Sequence, residues 1–157
     1  MWGMEKEANY RLLAQQVESL LEGEDNTTGQ LANAAALIHE ALGSWWTGFY
    51  LVKGEVLHLG PFQGPVACYS IKRGRGVCGT AWQENRTIVV PDVEQFPGHI
   101  ACSSLSRSEI VVPLRDQEGT VIAVLDIDSR DLAAFDDVDA RGLEAVVRAI
   151  EQHAFKH

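Results

Sequence analysis

The sequence has no long apolar run and little positive charge. No stretch approaches the roughly 18 apolar residues that a membrane-spanning helix needs, and residues 1–16 lack the basic and then apolar pattern of a secretory signal. Lysine and arginine number 13 against 22 aspartates and glutamates, which gives a formal net charge of −9. Nucleic acid and anionic membrane surfaces are therefore poor partners. Together these absences predict a cytoplasmic protein.

Cysteine is scarce and is not arranged as a metal site. The three cysteines are Cys68, Cys78 and Cys102. Because the sequence holds no CxxC and no Cys/His pair at zinc-finger spacing, we expect no structural metal. In a reducing compartment, thiols of this kind are expected to be free, catalytic or redox-active.

Apolar periodicity predicts one α+β domain over residues 1–157. An N-terminal amphipathic helix lies in residues 1–25, and residues 26–157 form the core with a C-terminal helix. Aromatic and β-branched runs between the helices predict strands joined by hairpins. Such a pattern implies a mainly antiparallel sheet of about six strands flanked by the terminal helices. We expect residues 60–65, GPFQGP, to lack regular structure.

Three acidic residues are candidates for proton transfer. Asp126 and Asp128 are two residues apart on a predicted strand, so they share a face. Their plain interpretation is a solvent-facing strand end. Glu109 lies one hairpin partner away, and three converging acids would raise one pKa and keep a carboxyl protonated near neutral pH.

The remaining candidate features each have a structural alternative. The glycines of residues 74–79, GRGVCG, lack the lysine and preceding strand of a nucleotide loop, which leaves a tight turn or a mobile loop that holds thiols near a pocket. Trp46 and Tyr50 share a strand face, and they either fill the core or line a pocket. His99 lies near Cys102 along the chain, which is weak evidence for a nucleophilic pair. We favour a role for His99 in structuring the loop.

Taken together, these stretches resemble the free methionine-(R)-sulfoxide reductases, which are built on a GAF domain. The resemblance covers roughly residues 26–150, and the three cysteines fall at the spacing of that family. The matching stretches are WTGFY (46–50), ACYSIKRGRGVCGTA (67–81), FPGHIAC (96–102), SRSEIV (106–111) and VLDIDS (124–129).

The resemblance implies a thiol-dependent oxidoreductase that reduces free L-methionine (R)-S-oxide to methionine without a metal or organic cofactor. It implies that Cys102 attacks, that Cys68 resolves the intermediate as an intramolecular disulfide, and that Cys78 is an auxiliary thiol. The order in which Cys68 and Cys78 act stays open. Thioredoxin would recycle the disulfide, and the amphipathic terminal helices are compatible with a homodimer.

The resemblance also assigns the substrate pocket. The acidic cluster would bind the substrate ammonium and assist protonation, and the two aromatic rings would surround the S-methyl group. The expected binding residues are Trp46, Tyr50, Ile100, Ala101, Glu109, Asp126 and Asp128. Two other classes remain as alternatives, namely a GAF ligand-binding or redox-sensing module without turnover and, behind it, a cysteine hydrolase.

Overall fold

Six strands form one sheet in the order β3-β2-β1-β6-β5-β4, and every neighbouring pair is antiparallel. The computed structural model describes residues 3–99 and 105–155. The predicted α+β fold, with a mainly antiparallel sheet and helices at both ends, is confirmed. Among the described residues, no helix is both long and apolar enough to cross a membrane.

The described elements follow one another along the chain with short connections. Helices and strands are α1 (Gly3–Leu21), α2 (Thr27–Leu42), β1 (Trp46–Lys53), β2 (Val56–Gln63), β3 (Ser70–Lys72), α3 (Gly76–Glu84), β4 (Ile88–Val90), β5 (Ser108–Arg115), β6 (Val121–Ser129) and α4 (Asp137–His153). A short 3-10 helix spans Val93–Gln95.

Capping residues fix where the helices begin and end. The Asn26 side chain accepts a hydrogen bond from the Gly29 backbone at the start of α2, as its position before the apolar run predicts. Gly43 ends α2 with φ +63, a left-handed conformation that favours glycine. Asp136 and Asp139 form a capping box at the start of α4.

The two faces of the sheet bury two different cores. Alternate residues of β6, such as Leu125 and Ile127, point toward α1, α2 and α4 and join the larger core. Asp126 and Asp128 alternate with these residues and face the other side of the sheet. There, α3 and aromatic residues of β1 form a smaller core. The two aspartates therefore lie on a strand whose opposite face is packed in the larger core.

The prediction that residues 60–65 lack regular structure is wrong for most of that stretch. Strand β2 runs on to Gln63, and Phe62 pairs with Gly48 of β1. The register shifts between Gly48 and Tyr50, so Gly60 and Pro61 fall in an irregularity of the ladder. Proline lacks an N–H donor, and a bulge is a position where a strand tolerates it.

The glycine-rich stretch begins as the expected tight turn, over residues 73–75, and continues as a helix. Helix α3 begins at Gly76 and includes Cys78 and Gly79. A β-carbon on Gly79 would collide with the backbone oxygen of Lys72, so this glycine permits close packing between chain segments. Cys78 is consequently held on a buried helix rather than on a mobile loop.

Candidate active site

Antiparallel pairing of β5 with β6 brings the three acids together. Glu109 lies directly opposite Asp128, and Asp126 shares the face of Asp128 two residues earlier. Glu109 and Asp126 are each only 6% exposed. The solvent-facing interpretation of the aspartates is therefore wrong, because all three carboxyl groups line one pocket.

That pocket has a volume of about 50 Å³ and opens on the face of the sheet opposite the large helical core. It is smaller than the ~150 Å³ cavity that accommodates benzene in an engineered protein. Its described lining comprises Trp46, Tyr50, Val66, Ala67, Ile71, Arg75, Gly76, Val77, Cys78, His99, Ser106, Glu109, Asp126 and Asp128. An amino acid would require the pocket to widen.

Aromatic rings of β1 form one wall. The Trp46 and Tyr50 rings stack with centroids 5.9 Å apart, as expected for residues two apart on a strand, and Phe62 of β2 stacks on Trp46 at 5.1 Å. Trp46 Nε1 donates to the Pro65 carbonyl at 3.0 Å, and the Tyr50 hydroxyl donates to the Cys68 carbonyl at 3.0 Å. These bonds tie the connection between β2 and β3 to the wall.

Burial controls the protonation of the carboxyl cluster. Desolvation raises the pKa of Glu109 well above its ordinary value, and the neighbouring Asp126 and Asp128 raise it further. Burial likewise raises the pKa of both aspartates. Burial and the mutual repulsion of these acids therefore favour a protonated carboxyl within the cluster.

Cys78 contacts this cluster as a thiol. It is free and 3% exposed, and its sulfur lies within 4.8 Å of carboxylate oxygens of Glu109 and Asp126. Desolvation raises the pKa of Cys78, and the nearby carboxylates raise it further. Because the thiolate is the nucleophilic form, this environment disfavours the reactive form of Cys78.

The other two cysteines are described to different extents. Cys68 is half-buried and disulfide-bonded, and its neighbour Ala67 lines the pocket. Cys102 lies outside the described residues, as do Ile100 and Ala101, so their predicted roles stay predictions.

Three polar residues of the pocket had no assigned role in substrate binding. Arg75 lies at the N-cap of α3 and brings a guanidinium to the pocket. The Ser106 hydroxyl donates to Asp128 at 3.3 Å. His99 also lines the pocket, and burial lowers its pKa. The available signals for Arg75 were its place in the glycine-rich stretch of residues 74–79 and its position just before a helix.

The pocket also contains a set of groups with metal-binding chemistry. One ligand atom each from Cys78, Glu109 and Asp126 lie within 4.8 Å of one another, and all three residues are buried. A thiol with two carboxylates is a donor set that Zn²⁺ accepts. Cysteine spacing alone did not show this set, because the acids come from two other strands.

Comparison with known proteins identifies the family. A model of the GAF domain matches residues 27–153. This chain belongs to the GAF domain family. Within the family it is closely related to free methionine-R-sulfoxide reductases, as the following relatives show.

The similar proteins align with nearly the whole of this chain. GAF domain-containing protein A of Dictyostelium discoideum is 54% identical over 147 residues, which cover 93% of this chain and 92% of that protein. Free methionine-R-sulfoxide reductase of Escherichia coli is 45% identical over 150 residues, or 95% and 90% of the two chains.

A solved structure shows the same likeness in three dimensions. The X-ray structure of free methionine-R-sulfoxide reductase from Neisseria meningitidis, in complex with its substrate, has a TM-score of 0.91 and 51% identity. The match covers 94% of this chain and 89% of that one.

Proposed function

We propose that this GAF protein reduces free L-methionine (R)-S-oxide to methionine. The observation that carries the proposal is the buried cluster of Glu109, Asp126 and Asp128, which faces an aromatic wall in one pocket. The relation to free methionine-R-sulfoxide reductases supports the substrate. The (R) selectivity rests on those relatives alone.

The ends of a free amino acid match the charges around the pocket. Asp126 Oδ1 is buried and has no hydrogen-bond partner among the described residues, so a substrate ammonium would satisfy it. Backbone N–H groups of residues 98–102 are our candidates for binding the substrate carboxylate. Arg75 adds a cation on the pocket wall, and we assign it a share of that carboxylate.

The aromatic wall suits the reacting end of the substrate. Trp46 and Tyr50 present stacked ring surfaces that can contact an S-methyl group. Their polar atoms bond to backbone carbonyls, and both residues line the pocket. The pocket must widen for this contact, and we expect the reduced enzyme to be the open form.

The chemistry needs a proton and a thiolate. A carboxyl of the cluster, Glu109 or one of the aspartates, protonates the sulfoxide oxygen, which is otherwise a poor leaving group. The Cys102 thiolate attacks the sulfur, methionine leaves, and Cys102 takes the oxygen as a sulfenic acid. Condensation with a second thiol releases water and forms a disulfide. A thioredoxin in the cytoplasm returns two electrons and two protons.

Two described cysteines differ in their suitability as the second thiol. Cys68 is disulfide-bonded and half-buried, whereas Cys78 is free and fully enclosed on α3. The environment of Cys78 raises its pKa and disfavours its thiolate. We therefore propose that Cys68 resolves the sulfenic acid of Cys102, and that Cys78 acts later or only as an auxiliary thiol.

Cysteine variants test this order directly. With thioredoxin as the reductant, we expect Cys102→Ser to form no methionine, because the attacking thiol is missing. Cys68→Ser should form roughly one methionine per chain and then stall as the sulfenic acid, which a sulfenate-specific dione probe and mass spectrometry would detect. Sustained methionine formation by Cys102→Ser would contradict the proposal, and full turnover by Cys68→Ser would exclude Cys68 as the resolving thiol.

A further inference from the structure

Two of the most exposed apolar side chains in the described structure flank the disulfide-bonded cysteine. Val66 is 88% exposed and Tyr69 is 86% exposed, whereas the other exposed large apolar residues lie between 39% and 53%. Both lie within two residues of Cys68. Apolar side chains this exposed mark interaction surfaces when they cluster.

The rest of the segment is also suited to contact with another protein. Tyr69 directly precedes β3, which lies at the edge of the sheet beyond β2. Its outward backbone groups have no strand neighbour in the described part of the chain. An open sheet edge offers N–H and C=O groups to an extended segment of a partner.

Charge on this segment differs from that of the whole chain. Residues 66–75 contain Lys72, Arg73 and Arg75 and no acidic residue, although the chain carries 22 acids against 13 bases. Lys72 is exposed on β3, and the Arg73 guanidinium lies over the Trp82 ring at 5.2 Å. This surface therefore attracts a partner of negative charge that the rest of the molecule would repel.

We propose that Tyr69, Val66 and Lys72 form the docking surface for the dithiol protein of the thioredoxin class that reduces the Cys68 disulfide. The inference rests on the proposed function, since it names where the reductant of that cycle binds. Reduction requires a partner thiolate to reach the disulfide, and the half-buried Cys68 is bordered by this surface.

The docked partner exchanges electrons in two steps. One partner thiolate attacks Cys68 Sγ, forms a mixed disulfide and expels the second sulfur of the original disulfide as a thiolate. The partner's other thiol then attacks the mixed disulfide and releases Cys68. Two electrons and two protons pass to the protein, and the partner leaves as a disulfide.

Replacing Tyr69 separates docking from chemistry. For Tyr69→Ser we expect the KM for thioredoxin to rise about tenfold, as for loss of an aromatic anchor at an interface, while the rate supported by dithiothreitol stays unchanged. Dithiothreitol needs no docking surface, so it reports the pocket chemistry alone. Tyr69→Phe should keep the wild-type KM because the ring remains.

Matched variants complete the test. Leu132→Ser removes an exposed apolar side chain, 50% exposed, from another region and should leave the KM unchanged. Lys72→Glu should raise the KM most at low salt. An unchanged KM in Tyr69→Ser would overturn the inference, and so would an equal loss of the dithiothreitol rate. Wild-type protein that forms no methionine with either reductant would instead refute the proposed function.

Discussion

At the scale of single residues, one buried face holds three carboxyl groups that cannot all be charged. Glu109, Asp126 and Asp128 face the same pocket, with Cys78 and His99 as further titratable neighbours. Desolvation raises the pKa of each acid, so the group that holds a proton can donate it while another stays anionic toward an ammonium. In the proposed reaction, this cluster would serve both substrate binding and proton transfer.

Replacing Glu109 tests its role as the proton donor. We expect Glu109→Gln to lower kcat about 10²-fold, the usual scale for loss of general acid catalysis. In the wild type, the contribution of this donor is present below the raised pKa of Glu109 and is lost as pH rises through it. Steady-state rates across a pH series would show this alkaline decline weakened in the variant.

The same substitution should change how the unfolding free energy depends on pH. Unfolded Glu109 ionises near its ordinary pKa of about 4.3, whereas the folded protein keeps it protonated to higher pH. The unfolding free energy of the wild type therefore falls as pH rises between these values. Glu109→Gln should weaken that decline, and the part due to Asp126 and Asp128 should remain. Glu118→Gln, at an exposed turn, is the control. Wild-type kcat and an unchanged pH dependence of stability in Glu109→Gln would contradict the assignment.

The sequence predicts that these acids lie together, but it does not predict their burial. The period of two on a strand placed Asp126 and Asp128 together, and the hairpin brought Glu109 to them. Their burial could not be predicted, because it comes from α3 and the β2–β3 connection packing over that face. Arg75 was missed because the glycine-rich stretch that contains it does not show that its side chain reaches the pocket.

At the scale of elements, α1 and α4 pack closely because a glycine lies at their contact. A β-carbon on Gly142 would collide with the Tyr10 ring. That ring cannot shift easily, since its hydroxyl donates to Asp139 at 2.5 Å and the side chain is buried. Close approach, rather than backbone freedom, explains this glycine.

We predict that Gly142→Ala destabilises the protein despite the better helix propensity of alanine. Overpacking costs about 1–3 kcal/mol, while the propensity gain is at most about 1 kcal/mol. Chemical denaturation would measure the difference, with Arg141→Ala at the exposed neighbouring position as the control. A variant as stable as the wild type would show that the helices separate without cost.

Some boundaries of helices and strands follow from the local sequence, and others depend on packing. The caps of α2 and α4 were readable because Asn26 and Asp136 bond to the backbone nearby. Residues 60–65 instead join β2 because pairing with β1 continues past a bulge that accommodates Pro61. Within α3, packing against Lys72 and Gly74 excludes a side chain at Gly79, which local propensity does not report.

At the scale of the whole molecule, the larger core and the candidate site lie on opposite faces of the sheet. The larger core lies between the sheet and α1, α2 and α4, whereas the pocket lies on the opposite face under α3. A pocket on that face can widen for substrate without opening the helical core. The division into a helix over residues 1–25 and a core over residues 26–157 stays a prediction, as does the homodimer.

The central claim is that this molecule reduces one epimer of a free amino acid. The direct measurement supplies racemic free methionine sulfoxide, thioredoxin, its reductase and NADPH, and follows NADPH to the end of the reaction. We predict that consumption stops near half of the added sulfoxide and that the (S) epimer remains. No consumption would leave a ligand-binding GAF module, and consumption of all the sulfoxide would contradict the selectivity.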